Sequence, residues 1–247
     1  MSKESSTWYS HRVHRQVTLT RWGEIGTPVL IFPTAAGDAE EGERFHLIEA
    51  IGPLLEQGRV KAYSVDSIPG QVWLQEDNRV DHASWIQNQF DALIEHEIAP
   101  AIRHDCNHPE DLQIIATGAS IGAFNALACL CRHPELFRKA ICMSGTYDPR
   151  RFLKGEAGEE WFRASPIHFV PQLPENGEQI RRLRECFVVL AHGEGRHEAP
   201  DESWNAANAL GGRRIPNRVD SWGKDWHHDW VTWRAMLPKY LDEMVPR

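Results

Sequence analysis

The pentapeptide Gly118-Ala119-Ser120-Ile121-Gly122 constrains the fold of this chain more than any other stretch. It follows the apolar run Leu112-Gln113-Ile114-Ile115-Ala116-Thr117, which reads as a buried strand, and precedes the helix-forming stretch Ala123 to Cys131. A chain that passes from strand to helix in so few residues must turn sharply, and a Cβ at Gly118 or Gly122 would collide where the two backbones meet. Such a turn lifts the Ser120 hydroxyl above the strand end. It also leaves the first amides of the helix, beginning at Ile121, unpaired at the positive end of the helix dipole.

The flanking segments extend the same alternation. Val17 to Leu19 and Pro28 to Phe32 read as early strands separated by a turn at Gly23 to Gly26, with Pro33 to Asp38 as the loop that follows. Helical spacing of Phe45, Leu47, Ile48, Ile51, Leu54 and Leu55 predicts a helix from about Arg44 to Gln57, before a strand at Val60 to Val65. A loop with Pro69, Gly70 and Trp73 leads to a helix from about Ser84 to Ile98, closed by Pro100. Past the serine turn come a strand at Lys139 to Met143 and an irregular excursion from Tyr147 to Gly177, a natural pocket wall. A strand at Cys186 to Ala191, a helix at Glu202 to Leu210, a strand at Asn217 to Ser221 and a helix at Trp230 to Met244 complete the chain. Strands alternating with helices imply an α/β fold, a mostly parallel sheet covered on both faces with active groups at the strands' C-terminal ends. With no internal repeat or linker, residues 1–247 read as a single domain.

Composition narrows the functional classes. A net charge of −8 argues against a nucleic-acid partner, and no apolar run approaches the ~20 residues of a membrane span. The polar N-terminus, Met1 to Ser6, lacks the apolar core of a signal peptide, so a cytoplasmic protein is expected. Cys106, Cys129, Cys131, Cys142 and Cys186 then read as reduced thiols. No C-x-x-C or His-Glu-x-x-His pattern is present, and His192 with His197 lacks a third convergent ligand, so neither a metal nor a cofactor is expected. Homo-oligomerisation is compatible with the sequence but leaves no mark in it.

A serine hydroxyl needs a base within hydrogen-bond reach and a third group that orients the base. The order expected on this architecture is serine, acid, histidine. His227 and His228 follow the last strand, in Gly223-Lys224-Asp225-Trp226-His227-His228-Asp229-Trp230. Glu194, Glu198, Asp201 and Glu202 follow the preceding strand, and spacing does not choose among them. An anion forming at the serine would be met by the Ile121 amide and by a second amide from Thr34, Ala35 or Ala36. Trp73, Trp226 and Trp230 are candidates for the wall of a substrate pocket.

Several segments together resemble the putative esterase family of α/β-hydrolases, the group of esterase D and the mycolyltransferase-like folds. The likeness rests on Phe32-Pro33-Thr34-Ala35 with Gly37-Asp38, on Tyr63 to Ser67, and on the Ser120 pentapeptide. It continues through Met143 to Asp148, Ser165-Pro166-Ile167, Gly193 to Glu198, and the most specific segment, His228-Asp229-Trp230-Val231-Thr232-Trp233-Arg234. The resemblance implies an α/β-hydrolase fold, with Ser120 as nucleophile, His228 as base, Glu198 as orienting acid, and Ala35 and Ile121 as oxyanion-hole donors. Esterase D-like members carry an Asp in the acid's loop, which keeps Glu194 and Asp201 as alternates. The expected activity is hydrolysis of a small-molecule carboxylic ester or thioester through an acyl-enzyme on Ser120. The alternatives are acyl transfer by the same nucleophile and a catalytically silent binding scaffold.

Overall fold

The computed structural model describes residues 2–75, 79–107, 112–148 and 158–246. Eight strands, β1 (Lys3–Ser10), β2 (Arg15–Trp22), β3 (Thr27–Phe32), β4 (Val60–Val65), β5 (Ile114–Ala119), β6 (Phe137–Met143), β7 (Phe187–His192) and β8 (Asn217–Ser221), make one sheet in the order β1-β2-β4-β3-β5-β6-β7-β8. β1 and β2 pair antiparallel, as do β2 and β4, and every pair from β4 onward is parallel. β4 and β5 are buried along their whole length, as continuous apolar runs inside a covered sheet should be.

Helices cover both faces. Three short helices, α1 (Glu41–Arg44), α2 (Leu47–Ala50) and α3 (Gly52–Glu56), share one face with the last helix, α12 (Trp230–Met244). The opposite face carries α4 (Ile68–Trp73), α5 (Val80–Leu93), α6 (Ala99–Asp105), α7 (Ile121–Arg132), α8 (Glu159–Ala164), α9 (Pro166–Phe169), α10 (Glu178–Leu183) and α11 (Pro200–Gly211). Alternate strand residues feed the two cores: Leu30, Ala116, Ala140 and Val188 pack on the α7 side, and Val29, Ile31, Ile115, Ile141 and Val189 on the α12 side. Among the described residues no helix is long and apolar enough to cross a membrane.

Three expectations need correction, and one strand lay outside them. The polar segment Lys3–Ser10 is an edge strand, paired along its length with β2. The helix expected from Arg44 to Gln57 is three pieces, because His46 sits in the left-handed region at φ 61° and Pro53 begins a new first turn. Pro100 does not close the helix before it. A π-turn at Ile94–Ile98 interrupts the hydrogen-bond ladder there, and the chain stays helical through Pro100, in the first turn of α6, to Asp105. The excursion expected as irregular contains helix, as α8, α9 and a 3₁₀ turn at Val170–Gln172, joined by irregular residues; residues 149–157 lie outside the described residues.

Candidate active site

Ser120 stands between β5 and α7 with φ 58° and ψ −121°, in left-handed territory that a non-glycine residue occupies at a cost of about 1–3 kcal/mol. The crowding around it explains both glycines. A Cβ on Gly118 would lie 2.5 Å from the Gly122 carbonyl oxygen, and one on Gly122 would overlap the Phe32 carbonyl and lie 2.8 Å from that of Pro33. Ser120 is tied to the end of β6: its amide donates to the Met143 carbonyl at 3.0 Å, and its own carbonyl accepts from the Thr146 amide at 3.3 Å.

The loop after β3 lies against this turn and is held rigidly. Glu41, from α1, accepts the Thr34 amide at 2.7 Å and the Thr34 hydroxyl at 2.6 Å, and the Gly37 amide closes a turn on the Thr34 carbonyl. Asp66, just after β4, accepts the Ala39 amide at 3.0 Å, and α4 packs so closely that a Cβ on Gly70 would lie 2.7 Å from the Ala35 Cα. Of the three residues that sequence left open for the second amide, Thr34 is therefore engaged elsewhere. Among the described residues no hydrogen bond engages the amides of Ala35, Ala36 or Ile121, so Ala35 and Ala36 both stay open for the second amide.

The candidate acid and base lie in the loops after β7 and β8, which are stitched together. Gly195 N–H donates to the Trp226 carbonyl at 2.9 Å, Arg196 N–H to His227 Nδ1 at 3.0 Å, and His228 N–H to the Arg196 carbonyl at 3.0 Å. A Cβ on Gly195 would lie 2.6 Å from the Trp226 carbonyl oxygen, so the stitching requires glycine there. His227 Nδ1 is thus occupied as an acceptor by backbone. His228 projects separately, with Nδ1 4.0 Å from Glu198 Oε2 and its ring edge-on to Trp233, centroids 5.2 Å apart. Asp229 caps α12 by accepting the Thr232 amide at 3.1 Å, fixing where the His228 loop ends.

The four carboxylates separate cleanly. Glu198 has a side chain only 1% exposed and faces His228. Glu194 accepts the Ser221 hydroxyl at 2.6 Å, Asp201 is exposed in the first turn of α11, and Glu202 accepts the amides of Tyr147 and Asp148. Burial pushes the Glu198 carboxyl above its ordinary range, opposed by hydrogen bonds from Ser144 and the Gly193 amide and by nearby His192. Burial also holds His228 below the usual histidine value, with His197 adding to the effect and Asp229 opposing it.

Sequence reading missed Ser144. It lies just past β6 at φ 47°, and its hydroxyl bonds Glu198 Oε1 at 2.6 Å while accepting the Trp233 indole N–H at 3.0 Å. The one available signal was Met143-Ser144-Gly145 directly after a central strand. Of the three tryptophans expected in a pocket wall, Trp73 is instead core, 7% exposed and packed on Phe124 and Trp161. Trp226 packs edge-on against Trp222, and Trp230 stacks face to face on Phe45 while meeting Trp233 at 5.0 Å. Among the described residues no cluster of His, Cys, Asp and Glu could hold a metal ion, and all five cysteines are free.

The sequence profile of the Putative esterase family matches residues 70–244. The chain belongs to this esterase family. The serine turn, the Glu198 loop and the His228 loop all fall within the matched region. No curated protein matches the chain. Solved structures do: a ferulic acid esterase at 18% identity (TM-score 0.69, covering 97% of this chain and 96% of that one) and an S-formylglutathione hydrolase from Agrobacterium tumefaciens at 13% (TM-score 0.69, 98% and 93%). FphF, a fluorophosphonate-binding serine hydrolase of Staphylococcus aureus, matches at 14% (TM-score 0.64, 100% and 99%). These likenesses establish the α/β-hydrolase fold of this esterase.

Proposed function

We propose that this esterase cleaves carboxylic esters or thioesters through an acyl-enzyme on Ser120. The observation that carries the reading is the strained Ser120 backbone where α7 begins, next to the Ile121 amide, which no hydrogen bond engages among the described residues, with the end of β3 that leads to Ala35 packed against the same turn. Strain of that kind persists only where the surroundings enforce it, and a serine enforced at a helix N-terminus suits acyl transfer, in which backbone N–H groups meet the developing oxyanion.

Ser120 Oγ attacks the substrate carbonyl as His228 takes its proton, and the carbonyl oxygen, now negative, accepts from the Ala35 and Ile121 amides. His228 then gives the proton to the departing alcohol or thiol, and a water activated by the same ring releases the acyl group. Glu198 steadies the ring and its transient positive charge. Its Oε2 stands 4.0 Å from Nδ1, about 1 Å beyond hydrogen-bond length, and the pair closes that gap when substrate loads the site. A depressed His228 keeps the base neutral at physiological pH, the form in which it accepts a proton.

Stopped-flow assay of p-nitrophenyl esters tests the mechanism. A pre-steady-state burst proportional to enzyme, abolished in Ser120→Ala, is expected. Full turnover by folded Ser120→Ala would refute it. Because the structural neighbours include a ferulic acid esterase and an S-formylglutathione hydrolase, the panel should contain a feruloyl ester and S-formylglutathione beside simple acyl chains.

A further inference from the structure

We propose that Trp233 and Ser144 form a donor chain that positions the acid: the Trp233 indole N–H donates to Ser144 Oγ, which donates its own proton to Glu198 Oε1 and leaves Oε2 to His228. This deepens the hydrolase reading and rests on its assignment of Glu198 and His228.

The direction of the chain follows from donor counting. An indole nitrogen can only donate, and a serine hydroxyl has one proton. With Trp233 at 3.0 Å occupying one acceptor position of Ser144 Oγ, and a carboxylate oxygen at 2.6 Å on the other side, the serine proton must point at Glu198. Ser144 is 3% exposed, Trp233 4%, and the Glu198 side chain 1%, so no bulk water competes for these bonds. In such surroundings each donor polarises the next.

Packing alone does not call for serine at position 144. At φ 47° glycine would be less strained, and its amide already clamps β6 to β7 by donating to the Ala191 carbonyl at 2.7 Å. What serine adds is the hydroxyl. Trp233 meets the second half of the dyad as well, since its ring lies edge-on to His228 at 5.2 Å. One side chain of α12 therefore touches both the base and the residue that holds the acid. The other titratable groups around the pair are His192 at the end of β7, His197 beside Glu198, and Asp229 beside His228.

The test combines Ser144→Gly, which suits the left-handed backbone and removes the hydroxyl together with its Cβ, with Trp233→Phe, which keeps an aromatic ring on α12 beside His228 and removes the N–H with the pyrrole part of the indole. Two readouts are followed: the His228 titration by NMR and the pH profile of kcat/KM. A hydroxyl donor favours the ionised carboxylate, so its loss makes the Glu198–His228 pair bind its first proton more readily. Ser144→Gly should raise that first protonation by about one pH unit and lower kcat about 10- to 100-fold, with KM within about twofold. Trp233→Phe should shift it the same way by less. In the double variant Trp233→Phe should add nothing further, because its effect passes through Ser144.

An unmoved titration in Ser144→Gly with only a uniform loss of rate would overturn the proposal. So would a Trp233→Phe effect of undiminished size in the Ser144→Gly background. If Ser144→Gly does not fold, the titration of Trp233→Phe alone decides, and no shift counts against the chain. A shifted His228 titration in a protein that turns over no ester would uphold the donor chain and refute the hydrolase reading instead.

Discussion

Adding one methyl at Gly122 should damage catalysis more than its size suggests. The Cβ of Gly122→Ala would overlap the Phe32 carbonyl oxygen and stand 2.8 Å from that of Pro33 and 3.0 Å from the Phe32 carbonyl carbon, all backbone atoms that no rotamer change can move. Ordinary carbon–oxygen contact needs more than 3 Å, so either α7 or the end of β3 must yield by about 1 Å. Both sides of that contact lead to the proposed oxyanion donors, since β3 runs into the loop of Ala35 and α7 begins at Ile121. Overpacking of this kind costs roughly 1–3 kcal/mol of stability, and a 1 Å displacement of oriented groups costs about 10²-fold in rate. Urea unfolding with steady-state kinetics on a p-nitrophenyl ester measures both. Gly42→Ala is the control: its Cβ would meet nothing closer than 3.8 Å, inside a helical turn, so it should be neutral or slightly stabilising. Wild-type kcat in Gly122→Ala, with or without a drop in stability, would refute the coupling between the turn and the oxyanion amides.

Glu198→Gln should lower kcat about 10³- to 10⁴-fold, whereas Glu194→Gln and Asp201→Asn should stay near wild type; comparable losses in either of the latter would unseat Glu198. The Glu198 carboxyl is raised by burial, so the folded state holds its proton more tightly than the unfolded chain, and its contribution to stability declines as pH rises from 4.5 through the folded value. Glu198→Gln should remove that decline and unfold at higher urea than wild type at pH 8, which chemical denaturation at pH 5 and 8 measures. His228 is shifted the other way: the acid limb of kcat/KM should lie below 6.5, and stability should fall as pH drops from 6.5 through the folded value, a slope that His228→Gln removes. Glu41→Ala, which frees the Thr34 amide and hydroxyl, should cut kcat about tenfold or more while KM barely changes, and an unaffected kcat would show that the loop holds its shape without that carboxylate.

Features that rest on local periodicity and on glycine were legible in the sequence. β4 and α12 fall where apolar spacing put them, and Gly118 and Gly122 are needed for the backbone approach that the serine turn demanded. Features decided by tertiary contact were not. Lys3–Ser10 has little apolar alternation because most of its side chains face solvent, and it is a strand only because β2 offers a partner along its length. The spacing from Phe45 to Leu55 is helical on average, and that average conceals the break at His46. Trp73 and Trp230 look alike in sequence, yet one is sealed against Phe124 and Trp161 and the other stacks on the surface residue Phe45. Ser144 was read only as part of the family segment for a related reason: a single serine after a strand does not show its partner, and its meaning comes from Trp233, 89 residues later.

The central claim is that Ser120 is an activated nucleophile, and covalent labelling tests it most directly. Wild type, Ser120→Ala and His228→Gln would be incubated with a fluorophosphonate and the modified peptide identified by mass spectrometry. Modification confined to the Ser120 peptide in wild type, absent in Ser120→Ala and slowed at least about 100-fold in His228→Gln, is the expected result. Folded wild-type protein that takes up no probe, or takes it up equally after Ser120→Ala, would contradict the account.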